Sequence, residues 1–256
     1  MMIDESIVIA GFFFLGLVLG SFLNVCIYRL PRGKSVVFPP SHCTACGSKI
    51  GARDLIPLLS YLLLKGRCRA CGGTISPSYP LIELLTGLLF AAAYAHTGLT
   101  ALLLKQLFLI AVLIVVSFID LKYLIIPDRI ILFSLACGLL LNLFIRDLSL
   151  LSAVLGLAGA TAFLLVPALI SPGGMGGGDI KLAAVIGFFL GWPNGLLAVF
   201  LGCLLGAVTG IALVLARVKG RKDAIPLGPY LAAGTMLAMF FGSRLLAWYL
   251  GLYLAS

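Results

Sequence analysis

Charged residues are scarce in this sequence. They make up 11% of 256 positions, only nine of them are acidic, and histidine occurs twice. A chain that is 62% hydrophobic, with a mean hydropathy of +1.19, would expose more apolar surface than water tolerates in a soluble domain. His42 adjoins a cysteine, and His96 has no nucleophile nearby on its side of the chain, which argues against serine or thiol proteolysis. No strand–glycine-loop–helix fingerprint occurs, which excludes a Rossmann-type cofactor domain. The first residues also lack the marks of a cleavable signal peptide. Asp4 and Glu5 are acidic, the basic residues follow the apolar stretch, and no small-residue cleavage site appears. We expect an uncleaved first helix.

What the sequence does have is a series of apolar runs about twenty residues long, the signature of membrane helices. The pattern predicts an all-α membrane protein of about eight transmembrane helices, at 6–28, 77–96, 101–121, 128–146, 150–170, 179–192, 195–216 and 228–253. The sixth is short and is expected to be tilted, extended into its flanks, or only partly crossing. Alternating the connections places all but three of the eighteen Lys and Arg residues on one side, the exceptions being Lys105, Arg146 and Arg244. The positive-inside rule makes the crowded side cytoplasmic and both termini external. The net charge of +9 therefore reports orientation in lipid, and nucleic acid is not expected as a partner.

The only long polar stretch, about 29–76, lies between the first two spans. It contains "HCTACGSK" and "RCRACGGT", which carry Cys43 and Cys46, then Cys68 and Cys71. Two such knuckles can supply four thiolates to a closed, structural Zn2+ site. A pair of redox disulfides is the competing reading, and a reducing cytoplasm favours zinc. His42 is an alternative ligand, or only a neighbour. Gly47 and Gly72 follow the second cysteine of each pair, where a permissive backbone turns amides toward sulfur. So short an insert has little apolar core, so metal binding would supply much of its folding energy. The stretch 55–66 is too short to span and is expected to lie against the membrane surface or the helix bundle. Cys26, Cys137 and Cys203 fall in helices as small apolar residues.

Most of the acids have ordinary explanations. Asp128 follows Pro127 just before an apolar run and reads as a helix N-cap. Glu83, Asp120 and Asp179 lie in or beside apolar helices, where burial is costly, and each is a functional candidate. Asp120 ends the third span, running inward, and Asp179 opens the sixth, running outward. Topology thus places both carboxyls at one depth, at the cytoplasmic mouth. Two carboxyls sharing a proton can activate water against a peptide carbonyl, one as base and the other as acid. Gly173, Gly174, Gly176, Gly177 and Gly178 allow close helix approach and room for an extended substrate, and the 171–178 loop is the segment expected to move. Lys181 reads either as a snorkelling topology anchor or as a residue that orients substrate or tunes the pair.

With these residues in view, "FIDLKYLIIPD" and "GGMGGGDIKLAAVIGFFLGW" resemble the two aspartate motifs of type IV prepilin peptidases, and the second carries the GxGD pattern of presenilin-type intramembrane proteases. "GSFLNVCIYRLPRG", the four-cysteine insert and "YPLIELLTG" resemble the N-terminal half of the same bifunctional leader peptidase/N-methyltransferase family. The resemblance implies a GxGD aspartic protease bundle in the bacterial cytoplasmic membrane, with Asp120 and Asp179 as catalytic residues facing the cytoplasm. It implies cleavage of the short basic leader of prepilins or type II secretion pseudopilins after a glycine. It further implies N-methylation of the new N-terminus from S-adenosyl-L-methionine, with residues 1–99 associated with methyl transfer and 100–256 with proteolysis. Glu83, Arg29 and Asn24 are candidates for the cofactor site. Their alternatives are a structural hydrogen bond or a Glu83–Arg29 pair, and close helix packing through Gly20 and Ser21. A proton- or ion-coupled transporter and a nonenzymatic pilus-assembly scaffold are the rival functions.

Overall fold

A computed structural model describes residues 4–170, 175–218, 220 and 223–254. Of the residues singled out above, Gly173 and Gly174 lie outside this set, as does the first half of the 171–178 loop. Among the described residues the chain forms helices α1 (Glu5–Arg29), α2 (Leu59–Leu63), α3 (Ser78–Thr97), α4 (Ala101–Tyr123), α5 (Asp128–Ile145), α6 (Leu150–Ile170), α7 (Gly177–Leu190), α8 (Asn194–Leu215) and α9 (Gly228–Leu254). The only extended pairings described are two isolated bridges in the insert. Seven of these helices are long and apolar enough to cross a membrane. The exception among the predicted spans is α7, whose 14 residues reach about 21 Å, well short of a hydrocarbon core about 30 Å thick.

The chain divides into two compact units, Met1–Val115 and Val116–Ser256. In the first, α1 packs on α3 with their backbones touching. A Cβ on Gly16 would lie 2.6 Å from the Gly87 Cα, and one on Gly20 would lie 2.7 Å from the Glu83 Cα. Small residues four apart are what lets apolar helices approach this closely in lipid, where dispersion replaces the hydrophobic effect as the driving force. Close packing at Gly20, one of the two sequence readings for this stretch, is therefore present. Between these helices the chain makes the cysteine insert. Leu62 and Leu63 on α2 are 70% and 72% exposed, so the described residues do not bury this apolar turn in a helix bundle.

In the second unit α7 is the core element, with Leu182, Ala183 and Val185 to Phe189 all buried. It fits because its neighbours lack side chains where they cross it. Gly156 on α6 and Gly187 on α7 are in direct backbone contact, and a Cβ on Gly195 of α8 would lie 2.6 Å from the Gly187 Cα. Gly191, at φ +68°, closes α7, and the following Trp192 N–H donates to the Ser152 carbonyl at 3.0 Å. A short helix gripped in this way holds its first turn, and hence Asp179, in a fixed position. Helices α8 and α9 close on each other by the same means, through Gly202 and Gly234.

Candidate functional site

Asp120 sits one turn from the end of α4 and is 5% exposed. Its Oδ2 accepts the Gly228 N–H at 2.8 Å, a contact across 108 positions of sequence. Gly228 opens α9, where the first N–H groups have no partner within the helix, and the carboxylate takes one of them. Only glycine allows the approach, since a Cβ at 228 would lie 2.9 Å from that same oxygen. Sequence reasoning missed Gly228. The glycine before Pro229 hinted at a helix start, but nothing local identified its partner.

Asp179 is half-buried in the first turn of α7, with Gly176 as N-cap. Its N–H donates to the Gly176 carbonyl at 3.1 Å, and the helix dipole there favours an anion. The glycines before it differ in what they do. A Cβ on Gly176 would lie 3.0 Å from the Asp179 Oδ2, and one on Gly178 would lie 3.0 Å from the Ile126 Cβ, while one on Gly177 would meet nothing. Asp120 and Asp179 line one cavity of about 290 Å³, together with the 124–126 turn, Asp128, Gly176 to Gly178 and Lys181. The two carboxyls that the sequence placed at one depth share one cleft.

Asp128 corrects an expectation. It is the first residue of α5 rather than its N-cap. Pro127 occupies the cap position, in extended backbone, and makes no side-chain cap hydrogen bond. With its side chain not folded back on the helix start, the Asp128 Oδ1 receives the Lys181 Nζ at 2.6 Å. Lys181 therefore reaches across the cleft to α5.

The four cysteines of the insert come together. Their Sγ atoms all lie within 4.8 Å of one another, and Cys43 and Cys71 are 4.0 Å apart. A tetrahedral ion with Zn–S bonds of about 2.3 Å would set its sulfurs about 3.8 Å apart, so the donor set and spacing fit zinc. The two knuckles repeat one local design. The Gly47 and Gly72 N–H groups each donate to the carbonyl of the first cysteine, Cys43 and Cys68, at 2.9 Å, and both glycines take positive φ, +73° and +71°. A hydrogen bond with the Ser48 hydroxyl pulls Cys46 down to about 6, and backbone N–H groups of Cys71 and Ala70 hold Cys68 below the usual thiol range. His42 pairs with Lys49 across the first knuckle and lies outside the four-sulfur group. Beside the second knuckle, Arg69 clamps Asp54 at 2.7 Å.

Asn24, Arg29 and Glu83 are all buried, and each has partners within the chain. The Asn24 Nδ2 donates to the Gly20 carbonyl at 3.2 Å and the Tyr79 carbonyl at 3.1 Å, tying α1 to the start of α3. Arg29 donates to the Ser35 and Pro39 carbonyls at 3.0 and 2.6 Å, and so shapes the loop after α1. The Glu83 Oε2 accepts the Leu58 N–H at 2.9 Å, and its carboxylate also meets Ser21. Leu58 has φ +60°, uncommon for a residue with a side chain, so Glu83 anchors a strained turn of the insert to a membrane helix. The alternative of a structural hydrogen bond at Glu83 is what the geometry contains.

No solved structure matches the chain. Curated relatives do. A prepilin leader peptidase/N-methyltransferase of Bacillus subtilis is 40% identical over 238 residues, covering 93% of this chain and 96% of its own length. Proteins of the same name from Aeromonas hydrophila and Legionella pneumophila are 38% and 35% identical, each covering 93% of this chain and 92% and 93% of their own lengths. The model of the bacterial peptidase A24 N-terminal domain matches residues 14–97, and that of the type IV leader peptidase family matches residues 107–211, which include both cleft aspartates. With seven helices suited to span lipid, the chain is a multi-pass membrane protein. Similarity of this extent, running through the helices, the cysteine insert and the cleft alike, makes the chain a member of the type IV leader peptidase family.

Proposed function

We propose that this chain cleaves the basic leader from prepilins or type II secretion pseudopilins, with Asp120 and Asp179 as the water-activating pair, and methylates the new N-terminus. The observation that carries the reading is the placing of both carboxyls on one cavity in a chain of this family. Membership also displaces the transporter and scaffold readings.

In the proposed reaction one carboxyl is protonated and the other ionised. Asp179, at the positive end of α7, takes a proton from the attacking water. Asp120, held by the Gly228 N–H through Oδ2, gives its proton to the substrate through its other oxygen. The pair titrates as a unit. The substrate enters as a membrane helix with its basic leader in the cytoplasm, and the cleft faces the same side, both chain termini being external. Replacing either aspartate with Asn is expected to lower cleavage of a model prepilin by about 10²–10⁴-fold while the variant stays folded. Full activity in either variant overturns the mechanism.

The four cysteines hold Zn2+, which stabilises the insert without taking part in cleavage. Residues 1–99 are associated with methyl transfer and 100–256 with proteolysis. S-adenosyl-L-methionine supplies an activated methyl group, and the acceptor is the new α-amine, whose pKa of about 7.7–8.0 makes its neutral form accessible. Asn24, Arg29 and Glu83 stand as candidates near that function, but their hydrogen bonds are committed within the chain and no methyl-transfer step is assigned to them. Labelled S-adenosyl-L-methionine with wild type and Glu83→Gln distinguishes the cases. Methyl incorporation undiminished in Glu83→Gln removes Glu83 from the cofactor site.

A further inference from the structure

Proteolysis by the aspartate pair leaves Asp128 and Lys181 without a task, although both line the cleft. We infer that Asp128 forms a subsite for one cationic side chain of the substrate leader, and that Lys181 fills this subsite in the substrate-free protein. The inference rests on the peptidase reading of the same cleft.

Position comes first. Asp120 is buried, whereas the Asp128 side chain is 63% exposed on the wall of the same cavity, so Asp128 marks its open side. A chain whose scissile carbonyl sits between Asp120 and Asp179 and whose next residues run out to water passes it. Chemical competence is equally direct, because the Asp128 Oδ1 already holds a primary ammonium at 2.6 Å. Lys181 presents the same group that a leader lysine would bring.

The pair has little to do as a structural element. Both side chains are more than half exposed, at 51% and 63%, and ion pairs so exposed contribute little to stability. Nor does Asp128 cap its helix. It stands at the first residue of α5, where the helix dipole favours negative charge. Exchange of one ammonium for another leaves the carboxylate paired throughout and returns the Lys181 ammonium to water. A neutral or acidic residue cannot displace Lys181 on these terms. The subsite thereby converts a leader charge into a binding preference.

The test uses the purified full-length chain in lipid and two model prepilins that differ only in one leader residue before the scissile glycine, Lys or Gln. The readout is the ratio of kcat/KM for the two substrates. Wild type is expected to favour Lys, and Asp128→Asn to shrink that ratio by about fivefold, the upper range for an exposed ion pair, through KM. With a third prepilin that carries Glu at the same position, Asp128→Lys is expected to favour Glu over Gln. Lys181→Gln removes the internal competitor and is expected to enlarge the ratio, which decides the matter if the Asp128 variants fail to fold. Ratios unchanged in the Asp128 variants, or unchanged or smaller in Lys181→Gln, overturn the subsite. Failure of wild type to cleave either substrate overturns the peptidase reading instead.

Discussion

The cysteine insert and the aspartate cleft are built in opposite ways. Each knuckle of the insert closes through contacts a few residues long, such as Gly47 to Cys43 and Gly72 to Cys68, and four sulfurs then join two local pieces. The cleft has almost no local structure of its own. Its hydrogen bond from Gly228 to Asp120 spans 108 positions, and its Lys181–Asp128 pair spans 53. The insert is closed by short-range hydrogen bonds that gather four sulfurs, and the cleft by helix packing through glycines. Damage to the first should remain in the insert, and damage to the packing should reach the chemistry.

Substitution of Asp179 or Asp120 by Asn, the largest expected effect, should lower cleavage by about 10²–10⁴-fold and leave the four-sulfur site intact, measured as metal content per chain. Next comes Gly228→Ala. Its new Cβ would fall 2.9 Å from the Asp120 Oδ2 and push the carboxyl out of position, so cleavage should drop about tenfold or more, on the scale of a misplaced catalytic group. Wild-type rates in Gly228→Ala would show that the Gly228 contact does not position Asp120. Removing metal with a chelator, or Cys68→Ser, should expose the insert to protease while cleavage falls far less than in the aspartate variants. If cleavage falls as far as in Asp179→Asn, the two regions are not independent. The smallest effect is assigned to Arg69→Ala. Arg69 is 67% exposed, and although its hydrogen bond holds the Asp54 carboxyl below the usual range, solvent screening leaves such a pair little to contribute. Metal content and cleavage should both match wild type.

Much of this was legible beforehand because it depends on short-range rules. The C-x-x-C knuckles announce themselves, and runs of apolar residues gave the helices to within a few positions. The short sixth span appears as α7 with 14 residues. Asp120 and Asp179 could be placed at one depth by counting crossings. Asp128 was misread because the same Pro-Asp pair suits an N-cap and a first helical residue, and a difference of one position in the helix start sends the carboxylate to Lys181. Asn24, Arg29 and Glu83 stood out as polar residues in apolar helices, but not the carbonyls and N–H groups that use them.

By itself the sequence determined the class of the molecule, its helices, the cysteine set and which carboxyls were candidates, because hydropathy and local hydrogen bonding act within a few turns of chain. The tertiary structure decided which backbone N–H meets Asp120, which cation meets Asp128, and how α7 is gripped. Those outcomes depend on glycines at helix crossings, such as Gly156 against Gly187. A missing side chain matters there only because of what another segment brings up against it.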